Sequence, residues 1–239
     1  MPPSPVTIPG FFGKLPACGD FVSRQLPRSF LDPWDQWLQT AIFHSRQQLG
    51  EDWLACYLRS PLWCFLLSAG LCGQPAYAGV LMPSIDRVGR YYPLVIAAPL
   101  PARCNPLALL TAPWFEAAAQ IALAGLDEQI DLETFATQVE ALGLPDTRPA
   151  RYPDAPAWHC PLDSGDPAAL AGFICDLAGG LLERCASPYS IWWGSGSPPR
   201  ITPCLLLCQG LPAPDRFAAL LAGGWKRWGW QEGSEPGAT

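Results

Sequence analysis

Residues 77–98 read YAGVLMPSIDRVGRYYPLVIAA. Two apolar runs, Tyr77–Met82 and Tyr91–Ala98, flank a polar tip that extends from Pro83 to Arg90. Each run has the length of a strand and is bounded by Gly or Pro. A third run, Leu62–Ala69, precedes them. The short connections allow an antiparallel meander of three strands. Side chains that bind or react concentrate in loops carried on a rigid scaffold, so Asp86, Arg87 and Arg90 at the tip are candidate site residues.

Upstream, residues 8–15 (IPGFFGKL) read as a short strand interrupted by glycine, followed by a loop rich in Pro, Gly and Asp that contains Asp20. Lys14 stands near the end of that strand. Asp32 is expected to cap a helix with Pro33 at its first position, where the missing N–H would have no partner anyway. Trp34, Trp37, Leu38, Ala41 and Ile42 then recur at helical spacing, predicting a buried aromatic face and an end near Gly50. A short helix over Asp52–Arg59 follows.

Downstream, Pro113–Leu126 and Asp131–Leu142 read as helices, the second with an N-cap at Asp131 and a stop at Gly143. Residues 144–165 carry five prolines and little periodicity, so an irregular excursion is expected there. Asp166-Pro167 opens a predicted helix running to about Cys185. Tyr189–Trp193 and Pro203–Cys208 read as strands, and Pro214–Leu221 as a last helix. Two groups of strands with helices between and after them predict an α+β fold (mixed α/β), a largely antiparallel central sheet covered by helices in a single domain. Residues 1–223 are expected to form that domain, and 224–239 a tryptophan-containing tail, partly flexible.

Composition narrows the function classes. Apolar residues make up 49% and charged ones only 15%, which excludes a disordered chain. The formal charge is −6 and there is no basic run, so neither nucleic acid nor an anionic membrane is an expected partner. The longest apolar stretch, Leu62–Leu71, is about half of what a bilayer crossing needs. The N-terminal MPPSPVTIPG has neither the charged nor the apolar region of a secretory signal, so a cytoplasmic protein is expected. Ten cysteines, several within apolar runs, then read as reduced buried thiols. With no C-x-x-C and only His44 and His159, no metal site and no cofactor are expected.

No catalytic signature survives inspection. Gly13-Lys14 lacks the earlier glycine and the following hydroxyl of a phosphate loop, because Ile8 and Leu15 occupy those places. Gly194-Ser195-Gly196 lacks the wider glycine spacing of a nucleophile elbow. Gly10, Gly13 and Gly19 open no helix at dinucleotide spacing. Two readings remain for Lys14, Asp20, Asp86, Arg87 and Arg90: ion pairs that shape loops, or a charged surface offered to a partner. Trp192 and Trp193 are adjacent on a strand and therefore face opposite sides. An exposed one would suit a protein interface, where tryptophan often carries much of the binding energy.

Three ordered blocks carry a family resemblance. The first is Gly10-Phe11-Phe12-Gly13-Lys14-Leu15-Pro16, then Gly19-Asp20-Phe21-Val22, then Phe30 with Trp34-Asp35 and Trp37-Leu38. The second runs from Gly79 to Leu94 through Pro83-Ser84, Asp86 and Val88-Gly89-Arg90. The third is Ser190-Ile191-Trp192-Trp193-Gly194-Ser195 with Gly210-Leu211-Pro212 and Phe217. Together they resemble the TagF/ImpM family of type VI secretion-associated proteins over about residues 10–220. The resemblance implies a non-enzymatic, cytoplasmic negative regulator that acts after translation by binding the forkhead-associated scaffold protein Fha, whose sequestration blocks assembly of the apparatus. The chain ends soon after the third block, so no appended phosphatase domain is expected. The alternative is an unrecognised hydrolase or phosphatase using loop carboxylates near Asp20 and Asp86.

Overall fold

The computed structural model describes residues 8–102, 104–147, 174–175, 178–182 and 188–231. Seven strands form one antiparallel sheet in the order β2-β1-β5-β4-β3-β6-β7. They are β1 (Gly10–Gly13), β2 (Val22–Arg24), β3 (Trp63–Leu67), β4 (Tyr77–Met82), β5 (Leu94–Pro99), β6 (Tyr189–Gly194) and β7 (Cys204–Gln209). The meander expected from the three apolar runs is the centre of this sheet, β3–β4–β5. Every residue of β4 and β5 is buried, because both faces are covered; that is why these strands read as continuous apolar runs and not as an alternation.

One face packs on α1 (Arg28–Leu49), α2 (Trp53–Leu58) and α5 (Ala218–Ala222), with Phe65, Leu67, Tyr77, Leu81, Val95 and Trp192 pointing into that core. The opposite face, with Leu66, Val80, Met82, Leu94, Ile96 and Ile191, packs on α3 (Pro113–Ala124) and α4 (Leu132–Ala141) through residues such as Phe115, Ala118 and Phe135. Gly79 lies at a crowded point of the sheet. A Cβ there would stand 2.3 Å from the Phe65 ring and 2.5 Å from the Ile96 carbonyl, so no larger residue fits.

Aromatic stacking organises the first core. Trp34 lies with its ring centroid 5.4 Å from Phe30, 5.1 Å from Trp37 and 5.0 Å from Phe65. Trp37 continues the array to Trp192 at 5.7 Å and to Phe217 at 5.7 Å, and its indole N–H donates to the Pro212 carbonyl at 2.7 Å. Helix α1 is thereby joined to the last segment of the chain.

The helix start differs from the sequence expectation. α1 begins at Arg28 with Pro27 as its cap, so Pro33 lies inside the helix and Asp32 is not a cap. The extra turn buries Phe30 completely against Trp34 and Tyr77, and that burial outweighs the one main-chain bond that Pro33 cannot donate. Strand β5 begins at Leu94, not Tyr91: Tyr91 makes only an isolated bridge to Ile85, and Pro93 has no N–H for the ladder. β2 was not expected; three residues, Val-Ser-Arg, carry no periodic signal. The last predicted helix is split into a 3-10 turn at Pro214–Arg216 and α5. Of the helix expected over 166–185, residues 174–175 and 178–182 are helical and the others lie outside the described residues, as does most of the 144–165 excursion. In the tail, Trp225 packs edge-on against Trp63 at 6.2 Å, and the Trp230 N–H donates to the Arg216 carbonyl.

Among the described residues, Cys18, Cys56, Cys64, Cys72, Cys175, Cys204 and Cys208 are free thiols. Burial pushes Cys64 and Cys72 up to about 12 and Cys208 up to about 11, so these thiols stay protonated and weakly nucleophilic near neutral pH.

Candidate functional site: a closed charge cluster under an exposed tip

The chain leaves β1 through Gly13, whose φ of +138° and whose Cα, with the Pro93 carbonyl 2.2 Å from any added Cβ, admit no side chain. That close approach carries Lys14 beneath the tip between β4 and β5. Lys14 and Asp86 are both buried, at 4% and 2% exposure, and Lys14 Nζ lies 2.8 Å from Asp86 Oδ2. Arg90 Nε donates to the same oxygen at 2.7 Å. The other oxygen, Oδ1, accepts the main-chain N–H groups of Val88 at 3.1 Å and Arg90 at 2.8 Å.

Asp86 thus receives four hydrogen bonds, filling the acceptor sites of an ionised carboxylate. Burial by itself would push its carboxyl up; the bonds from Lys14 and from the amide and guanidinium of Arg90 outweigh that and hold it far below the usual carboxylate range. A carboxylate so occupied has no lone pair free to accept a substrate proton or to attack.

Neutral groups complete the frame. Ser84 Oγ donates to the Lys14 carbonyl at 2.7 Å. The Tyr57 hydroxyl donates to the Ser84 carbonyl at 2.8 Å and accepts the Ser84 N–H at 2.9 Å, fastening the tip to α2. The Tyr92 hydroxyl donates to Asp35 on α1 at 2.6 Å. Burial raises both phenols well above the ordinary tyrosine value, so both remain donors at neutral pH.

The Lys14–Asp20 loop and the Asp86–Arg90 tip therefore converge. Arg87 N–H donates to the Cys18 carbonyl at 2.9 Å, and Arg90 Nη2 donates to the Gly19 carbonyl at 2.7 Å. Asp20 stands on the exposed side of Arg90, 3.7 Å from Nη2, while Asp86 occupies the buried side. The hydrolase alternative needs an unpaired carboxylate open to water, and the arginine between these two acids leaves Asp86 neither free nor exposed. Trp192 and Trp193 belong elsewhere. Trp192 is fully buried under α1, and half-buried Trp193 packs edge-on against Phe115 of α3 with centroids 4.6 Å apart.

Sequence reasoning did not select Tyr57, Ser84, Tyr92 or Phe21 as site residues. Ser84 sits two positions from Asp86, a signal that could have been used. Tyr57 lies 27 residues before Ser84, on α2, and carried none. Among the described residues no group of three His, Cys, Asp or Glu side chains is placed to hold a metal ion.

The linkage sign follows from Asp86. A carboxyl held low in the folded state contributes stability that is fully present above its unfolded value, about 3.9, and is lost as pH falls below it. The urea midpoint of Asp86→Asn is therefore expected to lie below the parent's by a constant gap from pH 8 to about 5, and the gap should close below about pH 4. A gap that varies between pH 6 and 8 would assign the effect to another group.

Comparison with known proteins places this geometry. The model of the TagF N-terminal domain, described as type VI secretion system-associated, matches residues 10–142, which include both loops and the whole cluster. The crystal structure of PA0076 from Pseudomonas aeruginosa PAO1 is similar to 97% of this chain and 100% of its own, at 37% sequence identity and a TM-score of 0.80. No curated protein matches the sequence.

Proposed function

This chain belongs to the TagF N-terminal domain family of type VI secretion-associated proteins, and from that premise we propose that it is a non-enzymatic, cytoplasmic negative regulator of type VI secretion. It acts after translation, by binding the forkhead-associated scaffold protein Fha and withholding it from assembly. The observation that carries the non-catalytic part is the closure of the Asp86 cluster: the most deeply placed charges of the family-matched region are paired with one another. Buried ion pairs add little net stability but fix geometry, which is what a recognition surface requires. Among the described residues no helix is long and apolar enough to cross a membrane, consistent with a regulator that meets its partner in solution.

Sequestration sets a quantitative requirement. With free regulator at ten times the dissociation constant, about nine-tenths of the scaffold is held, and a fall of about tenfold in free regulator lowers that share to about half. Raising the amount of this chain in a bacterium with an active apparatus should suppress secretion while the cellular amounts of the apparatus components stay constant. A parallel fall in those amounts would make it a regulator of expression, and undiminished secretion would contradict the proposal.

A further inference from the structure

The charged residues of the two loops divide into a frame and a face. Lys14 and Asp86 are buried in their mutual pair. Arg90 is engaged by Asp86, the Gly19 carbonyl and Asp20. Arg87 differs. It is exposed, and among the described residues no carboxylate lies within ion-pair distance of its guanidinium. Its main chain is nonetheless fixed, by its own N–H on Cys18 and by the Gly89 N–H on the Asp86 carbonyl. Its guanidinium rests over Gly19, where an added Cβ would come within 3.2 Å of Nη2.

Two exposed apolar side chains belong to the same pair of converging segments. Phe21 is 46% exposed, yet its ring is held against Phe12 at 5.6 Å and Tyr92 at 4.8 Å, with Lys14 Nζ 5.0 Å from the ring centroid. Val88, next to Arg87 at the summit of the tip, is 66% exposed. An aromatic ring held in place before any partner arrives, beside an arginine on a fixed main chain, has the composition of an interface centre, and the ring pays little ordering entropy on binding.

We infer that Arg87, Phe21 and Val88 form the surface through which this chain grips its partner, and that the partner meets it with an acidic segment carrying an apolar side chain. A carboxylate pairs with the planar Arg87 fork in bidentate fashion, while the apolar side chain covers Phe21 and Val88. Charge complementarity selects this occupant: the one exposed acid in the two loops, Asp20, already faces Arg90, so Arg87 has its countercharge still to find. The assignment rests on the protein-binding reading above.

Titrating full-length forkhead-associated scaffold protein with the full chain by calorimetry tests it. Arg87→Glu is expected to weaken binding by at least about 30-fold and Val88→Asp by about 10-fold or more, and Arg87→Ala should flatten the salt dependence. Phe43→Ser, an equally exposed site on α1, should bind like the parent, and circular dichroism should show all variants folded. If the parent binds and Arg87→Glu and Val88→Asp bind as tightly, the surface is overturned while the regulatory reading stands. If the parent itself does not bind the scaffold, the regulatory reading is overturned and the surface assignment falls with it.

Discussion

Trp37→Ala is expected to lower the stability of the chain by about 3–5 kcal/mol and its melting temperature by roughly 6–20 °C. Trp37 is 7% exposed and touches three aromatic neighbours, Trp34, Trp192 and Phe217, drawn from α1, β6 and the segment before α5. Truncation leaves a cavity that these rings cannot refill and strips the Pro212 carbonyl of its 2.7 Å donor. Trp34 supplies an internal control. Its ring is wholly buried, but among the described residues its indole N–H has no acceptor. Trp34→Phe removes an unpaired buried donor and should cost less than Trp37→Phe, which removes a paired one. Thermal and urea denaturation of the three variants checks both statements. An unchanged melting temperature for Trp37→Ala would mean that this face of α1 is open in solution.

The second large effect concerns Lys14. Removing one partner of a desolvated pair leaves a charge with too few bonds, so Lys14→Met should lower the melting temperature by roughly 5–10 °C although methionine fills much of the space. The double variant Lys14→Met/Asp86→Asn removes the stranded charge as well and should recover part of the loss, a coupling that a double-mutant cycle reads directly. Equal stability of parent and Lys14→Met would show that the pair is hydrated in solution and frames nothing.

The core of this fold was legible because it is written in long apolar runs. Leu62–Ala69, Tyr77–Met82 and Tyr91–Ala98 could hardly be anything but buried strands, and the Trp34–Ile42 periodicity announced the aromatic face of α1. What escaped was decided by tertiary contact. Phe30 extends α1 past Pro33 because Tyr77, 47 residues later, is there to cover it. β2 exists because β1 offers it an edge.

The site was half legible for the same reason. Glycine- and proline-marked loops pointed to Lys14, Asp20, Asp86, Arg87 and Arg90 as a group, but no local pattern says that Asp86 is buried while Arg87, its neighbour, is exposed. That partition depends on Lys14 arriving from 72 residues away and on Tyr57 bracing Ser84 from α2. Trp192 and Trp193 looked equally eligible as anchors. The sheet register places one in the core and the other against Phe115.

The central claim is that this chain works by holding a protein partner on a rigid charged tip. Sedimentation of the purified full chain mixed with full-length forkhead-associated scaffold protein, each at about 10 μM, tests it most directly. The account predicts a single faster boundary containing both proteins, which reverts to two separate boundaries when Arg87→Glu replaces the parent. Two independent boundaries with the parent chain, both proteins folded, would contradict it.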